Sequence, residues 1–144
     1  MRKKVVAVAF CLAALCCGQA LAQKDKHKEK RFEPVARQNL RDYAGRYVGI
    51  DESYWIEVRV GDDGQLVATS HEDGRTAELA DIRVEGASLT ATKVYGNGKR
   101  AEFVATFADR VLNGARAFGL LAENMRIELP GLTLTRIFYR RVGE

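Results

Sequence analysis

From Tyr54 onward apolar and polar residues alternate with a period of two, run after run. A β-strand with one dry and one wet face has that period, whereas a helix repeats every 3.6 residues. Tyr54, Ile56, Val58 and Val60 alternate with Trp55, Glu57 and Arg59; Leu66 and Ala68 alternate with Val67 and Thr69. Leu89, Ala91 and Tyr95 alternate with Ser88, Thr90 and Thr92, and Ala101, Phe103, Ala105 and Phe107 with Arg100, Glu102, Val104 and Thr106. Turn chemistry separates the runs, at Gly61-Asp62-Asp63-Gly64, Glu72-Asp73-Gly74, Glu85-Gly86, Gly96-Asn97-Gly98, Asn113-Gly114 and Pro130-Gly131. Asp-Gly and Asn-Gly supply the positive φ angles that two-residue hairpins require. The spacing predicts eight strands, over 45–50, 53–60, 65–71, 76–84, 87–95, 100–108, 111–120 and 132–142, and a ninth short one over 125–129. Leu132 and Leu134 fall on the opposite face from Ile137 and Tyr139, which calls for a bulge or twist in the last run. Short connections pair sequence neighbours antiparallel, and a sheet this long hides its edges most readily by closing on itself. The expected fold is all-β, an antiparallel up-and-down β-barrel of about eight strands.

A short helix is expected in front of it. Pro34 suits the first helical position, Ala36, Leu40 and Tyr43 share one face, and Gly45 closes the end. Before the helix the chain reads as a leader and a tail. Met1-Arg2-Lys3-Lys4 is a basic n-region, Val5 to Leu15 an apolar stretch, and Ala20-Leu21-Ala22 a small-x-small cleavage pattern. The apolar stretch is too short to span a bilayer, and no other stretch qualifies as a transmembrane segment. The expected organisation is a signal peptide over 1–22 cleaved after Ala22, a charged tail over 23–33, and one domain over 34–144. The expected location is the periplasm or the exterior.

Removing the leader changes both charge and redox chemistry. The net charge of +4 falls to +1 when Arg2, Lys3 and Lys4 leave, and most of the remaining excess sits in the run Lys24 to Arg31. The near-neutral remainder, with scattered basic residues, does not fit a nucleic-acid surface. All three cysteines, Cys11, Cys16 and Cys17, lie in the leader, so the mature domain is held by a core and not by disulfides. Leu15 before Cys16, and Cys16 before Cys17, do not give the small residue that lipidation signals place ahead of the cysteine.

Gly45-Arg46-Tyr47 at the start of the first strand is similar to the Gly-x-Trp of the lipocalin-like (calycin) barrels, with tyrosine for tryptophan. The run Leu89 to Phe107, with its hairpin at Gly96-Asn97-Gly98, also resembles small barrel domains appended to penicillin-recognising serine hydrolase-like proteins. The resemblance implies a ligand-binding or auxiliary module. It also implies that Arg140 or Arg141, on the last strand, covers the Tyr47 ring and closes one barrel end.

Catalytic constellations are sparse. His71 stands beside Glu72 and Asp73, yet a metal site needs three or four converging ligands and no second histidine follows the tail. The paired acids Asp51-Glu52, Asp62-Asp63 and Glu72-Asp73 sit at turns, and Gly96-x-Gly98 has no strand-to-helix context for a phosphate loop. No catalytic residue, metal or cofactor is called for. Small inward residues such as Ala68, Ala91, Ala101 and Ala105 leave room for a cavity walled by Tyr47, Tyr54, Phe103 and Phe107. A barrel of this size either holds one small ligand or fills with side chains. The leading expectation is therefore an exported, non-enzymatic barrel binding a small apolar or amphipathic ligand. The alternative is a protein-binding envelope module, an inhibitor or assembly accessory, with a solid core and an outer face around Trp55 and Phe118. An enzyme using His71 is the third reading.

Overall fold

A computed structural model describes residues 32–143 of the chain. The leader and the tail as far as Arg31 lie outside the described residues. Eleven strands form: β1 Glu33–Pro34, β2 Gly45–Val48, β3 Tyr54–Val60, β4 Leu66–Glu72, β5 Arg75–Glu85, β6 Ser88–Tyr95, β7 Arg100–Leu112, β8 Ala115–Ala122, β9 Ile127–Leu129, β10 Leu132–Leu134 and β11 Ile137–Val142. Strands β2 to β8 pair antiparallel in sequence order, and β11 lies between β8 and β2. The result is the expected closed antiparallel barrel of eight strands. Among the described residues no helix is long and apolar enough to cross a membrane.

The hairpins obey their turn residues. Asp73 (φ 48°) and Gly74 (φ 74°) join β4 to β5, and Asn113 (φ 50°) and Gly114 (φ 82°) join β7 to β8. Two successive positive φ angles match the right-handed twist of the flanking strands. The Asn113-Gly114 turn also corrects a boundary. The seventh strand runs through to Leu112, so the expected break near residue 109 is absent and the next strand starts at Ala115.

Two irregularities set which residues point inward. At Asp81 (φ 54°) the β5–β6 register shifts, and the inward set changes from Ala77 and Leu79 to Ile82 and Val84. The last expected strand, 132–142, divides at Thr135-Arg136. Leu132 and Leu134 belong to β10, which pairs with β9 as a separate hairpin, while Ile137 and Tyr139 face the core from β11. Their opposite parities reflect two strands in two sheets.

The helix in front of the barrel is one 3-10 turn, Leu40–Tyr43, capped by Asn39, whose side-chain oxygen accepts the Arg41 N–H at 3.1 Å. Pro34 is not in it. With no N–H to donate, Pro34 sits on a short outer strand beside Ala108 of β7, and the Val35 N–H binds the Phe107 carbonyl at 2.8 Å. Of Ala36, Leu40 and Tyr43, only Tyr43 is buried. Phe32 and Glu33, expected in the tail, are held on the barrel. Phe32 packs against Phe138 with ring centroids 5.5 Å apart, and Glu33 pairs with Arg116 at 3.0 Å.

Candidate functional site

The two barrel ends are built from different chemistry. At the 3-10 turn, Phe107 is packed between Tyr43 (centroids 4.2 Å apart), Tyr47 (6.1 Å) and Phe118 (5.9 Å). The Tyr47 hydroxyl donates to the Tyr43 carbonyl at 2.6 Å, and the Tyr43 hydroxyl reaches the Gly86 carbonyl at 3.0 Å. Burial pushes the Tyr47 phenol up to about 12, against the opposing pull of the Arg141 charge. This end is packed with rings.

Arg141 covers it. Its guanidinium lies 4.9 Å from the Phe118 ring centroid and donates to the Asp42 carbonyl of the 3-10 turn at 2.7 Å. It also stands opposite Tyr47 in the β2–β11 register. Of the two arginines expected over the Tyr47 ring, Arg141 is the one at this end, above Phe118 and opposite Tyr47, while Arg140 is exposed. Arg37 approaches the same Phe118 ring at 4.6 Å.

The outer-face residues separate in the same way. Phe118 is 5% exposed and belongs to the core, so it does not form a partner surface. Its parity with Arg116 misleads, because Arg116 lies at the exposed start of β8 whereas Phe118 lies within the closed ring. Trp55 is half-buried on the outside, stacked on His71 with centroids 3.4 Å apart and covered by the Arg46 guanidinium at 4.3 Å. His71 also meets the Thr76 hydroxyl at 3.3 Å. Arg46, Trp55 and His71 come from adjacent strands β2, β3 and β4, so the indole is held between two side chains of its own sheet.

The opposite end holds polar groups inside the barrel. Ser70 and Glu72 on β4 share the inward parity of Leu66 and Ala68; Lys93 on β6 shares that of Leu89 and Ala91. The Lys93 side chain is 5% exposed and its ammonium pairs with Glu72 Oε1, which also accepts the Ser70 hydroxyl at 3.2 Å. The Tyr95 ring lies 5.4 Å from the ammonium. The Tyr139 phenol, 3.7 Å from Met125 Sδ, is pushed far up by burial, reinforced by the charge of Glu72 and by Tyr54. Tyr95 is raised too, by burial first and then by Glu72.

Above this cluster opens a groove of about 800 Å³, whose walls include Tyr54, Glu72, Arg75, Tyr95, Lys99 and Ile127. That volume lies within the range of small-molecule sites. One wall is β9 of the detached hairpin, anchored by Ile127, which is 8% exposed within the core. Asn124 fixes the chain just before it: the side chain accepts the Val104 N–H at 3.1 Å and donates to the Glu102 carbonyl at 2.7 Å, imitating a strand partner.

Of the four expected cavity residues, Tyr54 reaches this groove. Tyr47 and Phe107 belong to the packed end, and Phe103 is 1% exposed within the core. Ser70, Glu72 and Lys93 escape a reading that follows apolar residues alone. Their signal is a polar side chain at an inward position, above all a lysine two residues after Ala91. Comparison with protein-family models, curated proteins and solved structures gives no match to this chain, so its function has to be argued from this geometry.

Proposed function

We propose that this chain is an exported, non-enzymatic barrel that binds one small amphipathic ligand in the groove at its Tyr54 end. The observation that carries the reading is the cluster of buried Lys93 and Ser70 with half-buried Glu72, beneath an opening of about 800 Å³ whose walls include Tyr54, Tyr95 and Ile127. A buried ion pair gives little net stability against apolar residues of similar volume, so a fold alone does not require one here. Here Tyr54, Tyr95 and Ile127 stand among polar and charged side chains, a lining that suits an amphipathic ligand and not a wholly apolar one. Export follows from the leader ending at Ala22, and kinship with the lipocalin-like barrels fits both the closed eight-strand ring and the arginine at its end. The protein-binding alternative is weaker, because Phe118 is buried and both faces of Trp55 are occupied.

Native mass spectrometry of protein purified from the periplasm without detergent tests this directly. The expected result is a mass above that of residues 23–144 by a discrete amount that is lost on denaturation. A bare chain that also takes up no amphiphile added at micromolar concentration overturns the reading.

A further inference from the structure

Given a ligand in this groove, we infer that its polar end is a carboxylate, and that Glu72 is the stand-in for that carboxylate when the groove is empty. Lys93 has three N–H donors, and among the described residues Glu72 is the one hydrogen-bond acceptor it meets. Two donors of a nearly dry ammonium are thus left for an incoming acceptor. Glu72 lines the groove and Lys93 does not, so the glutamate stands between the ammonium and the opening. Its side chain is 21% exposed, against 5% for Lys93, so the acid is the partner with a route to solvent.

The charges on the walls give the sign. Arg126 is paired with Glu128 at 2.6 Å and Lys93 with Glu72, which leaves Arg75, Lys99 and Asp73 as the other charged groups of the lining. The walls themselves carry three basic and three acidic residues, so the surplus positive charge is that of Lys93 just beneath them. When a ligand carboxylate takes Lys93, the displaced Glu72 side chain can turn toward Arg75 and Lys99 on the same rim. No charge is stranded at either stage, which meets the main cost of burying an ionic head group. Tyr54, Tyr95 and Ile127 remain as walls for an apolar tail. The class of ligand is an amphipathic monocarboxylic acid, and Glu72 competes with it from within the protein.

Calorimetric titration of the mature protein with dodecanoate, dodecanol and dodecylamine, each below its aggregation concentration, tests this. Wild type is expected to favour dodecanoate over dodecanol by about tenfold or more, the size of one charge-assisted hydrogen-bonded contact. Glu72→Gln removes the internal competitor's charge and is expected to tighten dodecanoate further, with little change for dodecanol. Lys93→Met is expected to bring the acid-to-alcohol ratio close to one. If Lys93→Met does not fold, the wild-type order and the Glu72→Gln shift decide. Equal binding of acid and alcohol, a preference for the amine, or weaker acid binding in Glu72→Gln overturns the carboxylate assignment and leaves the binding barrel standing. No binding of any of the three overturns the binding reading itself.

Discussion

Lys93 and Glu72 meet across the barrel interior from β6 and β4, with the whole of β5 between them in the sheet. Their burial is unequal, and the two deletions should be unequal as well. Glu72→Ala strands an ammonium that has little access to water, at a cost of about 3 kcal/mol. Lys93→Met leaves a carboxylate that still accepts from Ser70 and can turn to solvent, and should cost about 1 kcal/mol. Urea unfolding of the two variants checks the order.

At the other end the stabilising unit is aromatic. Phe107 is fully buried against Tyr43, Tyr47 and Phe118. Phe107→Ala should therefore destabilise the domain by about 3–5 kcal/mol through lost contacts and a cavity that rigid rings cannot fill. Phe107→Leu should recover much of that loss in the same unfolding experiment.

Gly119 is needed for its lack of a side chain. A Cβ there would lie 2.3 Å from the Tyr139 carbonyl oxygen and 2.5 Å from the Phe138 ring, across the β8–β11 seam. Backbone cannot yield as a flexible side chain can, so Gly119→Ala should cost about 3 kcal/mol or more. Thermal denaturation followed by circular dichroism would show the loss.

The single tryptophan reports on its neighbours. Held between Arg46 and His71, Trp55 should gain access to acrylamide in Arg46→Ala and in His71→Ala, with emission moving to longer wavelength in both. Addition of dodecanoate should leave the wild-type emission unchanged, because Trp55 faces outward, away from the groove.

Alkali should unfold the protein through its tyrosines. Tyr47, Tyr95 and Tyr139 all hold their protons more tightly in the native state than the ordinary value near 10, because burial disfavours the phenolate. The native state then binds more protons than the unfolded chain above that pH. Stability is intact below pH 10 and falls as pH rises, by at most about 1.4 kcal/mol per pH unit for each such tyrosine. Tyr47 contributes until about pH 12, where its native form also ionises. Absorbance at the phenolate band should show these tyrosines resisting ionisation above pH 10 and then ionising together with loss of the fold.

The period of two is enough to place most barrel strands, because alternation such as Tyr54 to Val60 has one solution in a half-buried sheet. Turns were equally legible where a dipeptide demanded positive φ, as at Asp73-Gly74. Less local features were hidden. The Asp81 shift depends on how β5 meets β6, and the division of 132–142 depends on β9 claiming Leu132 to Leu134. Pro34 reads equally well as a helix start or an edge residue until β7 is there to receive it. In the site, Tyr54 was visible as an inward aromatic, whereas Lys93 and Glu72 belong to strands that are not neighbours. Only closure of the sheet turns both toward one point.

The β9–β10 hairpin walls the groove without sharing a ladder with the closed ring. Its length and composition are thus uncoupled from the bookkeeping of shear and register that constrains the other strands. A lineage, or a designer, can lengthen, shorten or recolour this flap and so change what the barrel admits, while the eight strands that keep it folded go untouched.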